Sequence, residues 1–199
     1  MTMARIRTRL AHYRAALIDD AKVARASVAM VLREGRAGVE LLLIQRAIRD
    51  DDPWSGHVAL PGGRRDPDDA DPVATAIRET HEEVGIDLAT HGMAIGRLDE
   101  LRAIARHRPL DLVISPVVFV LEGPATVTVA PREVESAVWV PLAFLGSAAA
   151  RSTYRRSLDG IDSEFPAFRY ERYTIWGLTH RMLDSFLSIV GAENMQVRQ

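Results

Sequence analysis

The order of elements in this sequence predicts an α/β/α sandwich around a mixed β-sheet. Three observations carry the prediction. Leu41-Leu42-Leu43-Ile44 is a continuous apolar run of strand length, as in a strand covered on both faces. Asp71 to Gly85 bears the marks of a capped helix. Around that helix the apolar segments read strand, strand, loop, helix, strands, helix, which suits a layered fold. A chain of 199 residues with 47% hydrophobic content can bury a sizeable core as one domain.

Residues 4–18 read as an amphipathic helix, with Ile6, Leu10, Tyr13 and Leu17 on one side and basic residues filling the rest. Packing on its own domain or on a partner subunit is the favoured role, and membrane contact the alternative. Strands are expected over 25–33 and 39–46, joined by a turn at Glu34 to Gly38. Gln45 and Arg46 follow the second, where a binding site often sits. The segment Arg49 to Gly56, with Asp50-Asp51-Asp52-Pro53-Trp54-Ser55, is a loop by composition. Its Trp54 either stacks on a base or covers the edge of the core.

The central helix begins at Asp71-Pro72, because Asp is a good N-cap and Pro suits the first helical position. Val73, Ala76, Ile77 and Val84 form its apolar stripe, and Gly85 fits the position just past its end. Met93 to Leu101 suits a strand. Arg102, Arg106, His107 and Arg108 are a basic cluster, either a solvated turn or a phosphate-facing one. Leu110 to Leu121 is a strand whose Pro116 suggests a bulge or an edge position. A short β segment is expected at Thr126 to Val129. Val138-Trp139-Val140 is a strand, and Pro141-Leu142 opens a short helix. Phe165 to Tyr170 and Tyr173 to Ile175 suggest a hairpin, followed by a helix to about Val190. Tyr170 and Trp176 are either ligand contacts or core. The chain divides into a helical extension (1–24), a main domain (25–192) and a frayed polar tail (193–199).

Glu79, Glu82 and Glu83 stand at i, i+3 and i+4, so three carboxylates project from one side of the helix. Such like charges repel, and a metal ion removes the penalty. Oxygen-only ligands favour hard cations such as Mg²⁺ or Mn²⁺. Arg78, four residues before Glu82, is placed to orient one of them. The competing reading is a solvated acidic face. The ordered string of Gly62-Gly63, Arg78-Glu79, Glu82-Glu83 and Gly85 favours the site.

Arg78-Glu79-Thr80-His81-Glu82-Glu83-Val84-Gly85-Ile86 resembles the second half of the Nudix box, with Thr80 at a position that is apolar in that pattern. The first half departs from the common box. Pro61, Gly62, Gly63, Asp66 and Asp69 are similar instead to the coenzyme A pyrophosphatase branch. The segments Glu133 to Leu142 and Ile175 to Thr179 extend the resemblance over most of the chain from about residue 25. It implies a Nudix-type sandwich and hydrolysis of a pyrophosphate bond in a nucleoside diphosphate derivative. Coenzyme A or its thioesters lead, giving adenosine 3′,5′-bisphosphate and phosphopantetheine. The same chemistry on ADP-ribose, a dinucleotide or a nucleoside triphosphate is the alternative, and a non-catalytic nucleotide-binding module a third reading. Metal ligands would be Glu79, Glu82 and Glu83, with the Gly63 carbonyl. The general base would be Glu82 or an acid of the later loop, Glu133 or Glu135. Phosphate contacts would come from Arg46, Arg64 or Arg65 beside Gly62 and Gly63.

Net charge is −2 and the isoelectric point about 6.3, so no overall basic footprint points to nucleic acid. There is no cysteine, which excludes disulfides, thiolate metal sites and a cysteine nucleophile and suits the cytoplasm. No apolar run approaches the roughly 20 residues needed to span a membrane. Many members of the resembled family dimerise, and the N-terminal helix offers a surface for a homodimer.

Overall fold

The computed structural model describes residues 1–36, 38–50, 54–105, 108–158 and 161–191. It is a mixed α/β structure built on an eight-stranded sheet with a second, three-stranded sheet beside it. In chain order the elements are α1 (Met3–His12), β1 (Ala24–Gly35), β2 (Gly38–Arg46), β3 (Val58–Ala59) and β4 (Gly62–Arg64). Then come α2 (Pro72–Val84), α3 (Leu88–His91), β5 (Gly92–Arg97), β6 (Leu101–Ala105), β7 (Arg108–Leu121) and β8 (Val134–Pro141). The chain ends with α4 (Leu142–Leu145), a 3-10 turn, β9 (Arg151–Leu158), β10 (Ile161–Tyr170), β11 (Tyr173–Trp176) and α5 (Gly177–Ile189).

The large sheet runs β3-β2-β1-β7-β5, with β1 and β7 parallel and the other pairs antiparallel. Alternation along the central strands sends side chains to two cores. Ala29, Val31, Leu42, Ile44, Val117 and Phe119 meet Ala76 and Val84 of α2 on one face. Met30, Leu32, Leu41, Leu43, Val118 and Val120 face the other way. There they join Ile6 and Leu10 of α1, Leu142 of α4, Phe168 of β10 and Phe186 of α5. Leu41 to Ile44 are fully buried, which is why that run has no polar alternation.

Helix α2 keeps its expected bounds. The Asp71 carboxylate accepts from the Ala74 N–H at 2.9 Å, and Gly85 takes the left-handed conformation (φ 68°) that ends it. Thr80 is fully buried, and its hydroxyl donates to the Ala76 carbonyl at 2.6 Å, so a polar residue fits an apolar position.

Other expectations are corrected. The first helix stops at His12 rather than residue 18, because the backbone of Ala16 and Ile18 leaves the helix to bond with Asp99 and Glu100. Pro116 lies in a central strand rather than at an edge, in unbroken register with β1, and the irregularities of β7 fall on either side of it, in the pairings with β6 and β5. Its missing N–H falls where β7 changes partner from β6 to β5, and its carbonyl accepts from Leu98 at 3.0 Å. Thr126 to Val129 form no strand. Thr128 and Ala130 donate instead to the end carbonyls of α2, at Val84 and Glu83. The hairpin near the C-terminus gains a third strand, β9, and its helix begins at Gly177. Asp51, Asp52, Pro53, Arg106, His107 and the tail from 192 lie outside the described residues. Among the described residues no helix is long and apolar enough to cross a membrane.

Candidate active site

The edge of β1 is shared. Leu32 to Gly35 pair with β2, whereas Ala26 to Val28 pair with β4. Gly62 makes this close approach, since a Cβ there would stand 2.3 Å from the Ser27 carbonyl, and its φ is +152°. The strand exchange opens a cavity of about 810 Å³ between the strands, α2 and the start of α5.

Arg78 organises the α2 side. Its guanidinium forks onto Asp69 at 3.1 and 2.9 Å. It also donates to Glu79 at 2.9 Å, Glu82 at 3.0 Å and the Arg64 carbonyl at 2.9 Å. One side chain thus ties the Gly loop, the acidic turn and the helix together, as forked donors allow. Charge-assisted bonding to Arg78 pulls the Asp69 carboxyl down to about 2. The same partners push Arg78 up, with hydrogen bonding to Asp69 foremost.

Glu83 is different. It is 2% exposed, accepts from the Gly62 N–H at 2.8 Å and has the Arg46 guanidinium 3.9 Å away. Burial pushes its carboxyl up to about 8, against the pull of those two groups. Burial also raises Glu79, helped by the charges of Glu82 and Glu133 and opposed by Arg78.

Arg46, Gly62, Gly63, Arg64, Glu79, Glu83 and Glu133 all line the cavity. Glu82 does not. It is half exposed and lies on Arg78. Of the two loop acids, Glu133 reaches the cavity and Glu135 is exposed away from it. Arg65, expected among the phosphate contacts, turns its guanidinium onto the carbonyls of Asp69 and Ala70. Of the basic cluster, Arg102 pairs with Asp20 at 2.7 Å. Trp54 and Trp176 line the cavity, whereas Tyr170 packs edge-on against Phe144 at 5.2 Å.

Sequence reasoning missed Arg156 and Arg181, which line the cavity, as does Arg49. Arg156 lies on the unforeseen strand β9. Asp69 was visible only as a motif position, and its role as the partner of Arg78 needed the fold.

The donor set expected from the sequence, Glu79, Glu82, Glu83 and the Gly63 carbonyl, is all oxygen, as a hard divalent cation requires. As the side chains stand, no described group of three carboxylates or imidazoles is gathered closely enough to hold an ion. Glu79 and Glu82 are turned onto Arg78 instead. Room for a carboxylate is nevertheless built in. A Cβ on Gly63 would stand 2.4 Å from the Glu79 carboxylate. Glu83 and Glu79 are raised by burial, with too little positive charge beside them, which is the deficit a cation fills. The residues therefore fit such an ion.

A family model described as the NUDIX domain matches residues 23–159. An uncharacterised protein of Schizosaccharomyces pombe is 50% identical over 109 residues, 53% of this chain and 32% of that protein. The peroxisomal coenzyme A diphosphatase ndx-8 of Caenorhabditis elegans is 34% identical over 131 residues, 64% of this chain and 52% of the nematode protein. The Nudix hydrolase NudL of Escherichia coli, itself uncharacterised, is 31% identical over 156 residues, 77% of this chain and 76% of that one. The alignments thus span a third and a half of the first two relatives. Among solved structures, a MutT/nudix family protein from Enterococcus faecalis shares the fold with a TM-score of 0.52 at 16% identity. That match covers 96% of this chain and 70% of that protein. By its sequence, its fold and the ordered string from Gly62 to Gly85, the chain belongs to the NUDIX domain family.

Proposed function

We propose that the protein is a pyrophosphohydrolase that adds water across the diphosphate of coenzyme A or its thioesters, releasing adenosine 3′,5′-bisphosphate and the phosphopantetheine part. One observation carries the reading. A single cavity holds Glu79, Glu83 and Glu133 together with Gly62, Gly63, Arg46 and Arg64. Its volume of about 810 Å³ suits a large nucleotide derivative. The choice of coenzyme A rests on the Pro61-Gly62-Gly63-to-Asp69 pattern and on the nematode relative's name.

Nudix hydrolases generally require divalent metal ions. Here Glu79, Glu82 and Glu83, with the Gly63 carbonyl, would hold Mg²⁺ or Mn²⁺. Such an ion supplies neutralisation of the diphosphate charge and a more acidic bound water. Arg78 positions Glu79 and Glu82 and is itself held by Asp69. Arg46 and Arg64 orient the phosphate oxygens through charge-assisted bonds. Glu82, or a loop acid, takes the proton from the attacking water. Of the loop acids Glu133 is favoured over Glu135, because it lines the cavity. We place the protein in the cytoplasm, given its lack of cysteine, acting on a small nucleotide, with a homodimer as its assembly.

The test is product analysis with Mg²⁺ or Mn²⁺ against coenzyme A, ADP-ribose, dinucleotides and nucleoside triphosphates. Fastest cleavage of coenzyme A is the expected result. Faster turnover of another nucleotide overturns the substrate, and no turnover with either metal overturns the catalysis.

A further inference from the structure

The cavity has a second wall, far from α2 in sequence and unlike it in chemistry. Trp176, at the end of β11, is its centre. His57 lies 4.7 Å from the Trp176 ring, Tyr154 stacks on it at 4.4 Å, and Phe165 stands 5.4 Å away. The Arg156 guanidinium lies over the same ring at 5.5 Å. Arg181, on α5, lines the cavity close by in the chain. Among the described residues neither Arg156 nor Arg181 has a carboxylate within ion-pair distance. The other charged pairs of this region are Arg151 with Asp184 and Arg155 with Glu164. Two arginines thus line a cavity without an acidic partner, one of them held by an aromatic ring. Meanwhile Glu83 and Glu79 of that cavity answer to Arg46 and Arg78.

We propose that Arg156 and Arg181, with Trp176 holding Arg156 in place, form a subsite for a phosphomonoester on the ribose of the substrate, separate from the diphosphate end. The inference rests on the coenzyme A reading, in which the leaving nucleotide carries such a group. The cation on the ring is pre-set in direction, because the aromatic face fixes the plane of the guanidinium. A dianionic phosphate is the ligand matched to a forked donor with a second arginine beside it. Strand β9 brings Arg156 to the cavity, and α5 brings Arg181. The subsite thus comes from the C-terminal sheet and helix, and the Gly62-to-Gly85 string contributes nothing to it.

Calorimetric titration of the full chain with adenosine 3′,5′-bisphosphate and with adenosine 5′-monophosphate tests this without turnover. The bisphosphate is expected to bind about tenfold tighter, as one charge-assisted contact predicts. In Arg156→Ala that ratio falls to within about threefold of unity. Arg181→Ala, at an exposed position, lowers it too and guards against a packing defect at Trp176. Arg156→Lys, which keeps charge but loses the fork, retains part of the preference. Equal binding of the two nucleotides by the unaltered protein overturns the subsite, as does a ratio unchanged in both alanine variants. Hydrolysis of coenzyme A tells the two failures apart. Turnover with equal nucleotide binding sinks this inference alone. Absent turnover sinks the parent reading, while the binding ratio still decides this one.

Discussion

Glu83 combines near-complete burial, a backbone donor at Gly62 and a carboxyl raised to about 8. In the metal-free protein the folded state therefore holds a proton that the unfolded chain, at about 4.5, has released. The stability this brings is complete below about pH 4.5 and is lost as pH rises through about 8. Thermal midpoints of metal-free protein are expected to fall across that window, and Glu83→Gln should flatten the fall. Added Mg²⁺ should restore stability at the alkaline end of the unaltered protein only. The same variant should lower kcat about a thousandfold with the fold retained, given several kcal/mol of lost charge stabilisation. Unchanged turnover would remove Glu83 from the site. The two glycines separate in kind. Gly62→Ala meets backbone and a disallowed φ, so it should lower the unfolding free energy measured in urea by about 1–3 kcal/mol. For Gly63→Ala the nearest atoms met are the movable Glu79 carboxylate, so it should unfold like the unaltered protein while losing about a hundredfold in rate. Equal unfolding and equal activity in both would break the distinction.

At the scale of elements, legibility followed how local the determining forces were. Helix α2 was readable to the residue because Asp71, Pro72 and Gly85 act within one turn of its ends. The buried run of β2 was readable because its neighbours on both faces are apolar. Thr126 to Val129 read as strand by composition, yet the N–H groups of Thr128 and the neighbouring Ala130 were claimed by the end of a helix more than 40 residues earlier, which no local pattern reveals. Strand β9 (Arg151 to Leu158) was missed because its polar and charged residues carry no apolar alternation. Only pairing with β10 makes it a strand. The site divides in the same way. The glutamates stood in the sequence, whereas Arg156 and Arg181 depended on where two late elements land. Arg78 joins these scales, since it fastens the turn at Asp69 to the helix. Arg78→Lys keeps the charge but cannot make the fork. Its kcat should fall about 10–100-fold, the usual cost of losing a group that positions ligands. In acid titration followed by NMR, the Asp69 carboxyl should move back up from about 2 towards the ordinary range. An unmoved Asp69 would show that the fork does not hold the turn.

Across the whole molecule, the N-terminal segment is built into the sheet rather than hung from it. Ile6 is completely buried and Leu10 nearly so, in the same core as Phe168 and Phe186 from the far end of the chain. Polar ties reinforce the docking. Arg5 donates to the Gly191 carbonyl at 3.1 Å, Tyr13 to Asp99 at 2.7 Å and the Ile18 N–H to Glu100 at 2.8 Å. Burial first, then the bond to Asp99, raises the Tyr13 hydroxyl to about 12, so it keeps its proton to donate through neutral and moderately alkaline pH. If α1 and the C-terminal elements share one core, removing the Ile6 side chain must weaken both ends together. Ile6→Ala should cost about 2–5 kcal/mol, the range for a buried aliphatic cut to Ala. The loss should appear as one transition, with far-ultraviolet dichroism and the fluorescence of Trp176 and its fellow tryptophans falling at the same urea concentration. A midpoint that does not move would mean that α1 docks too weakly to count as core. Two separated transitions would mean that the N-terminal helix and the C-terminal layer fold as independent units on the sheet they share.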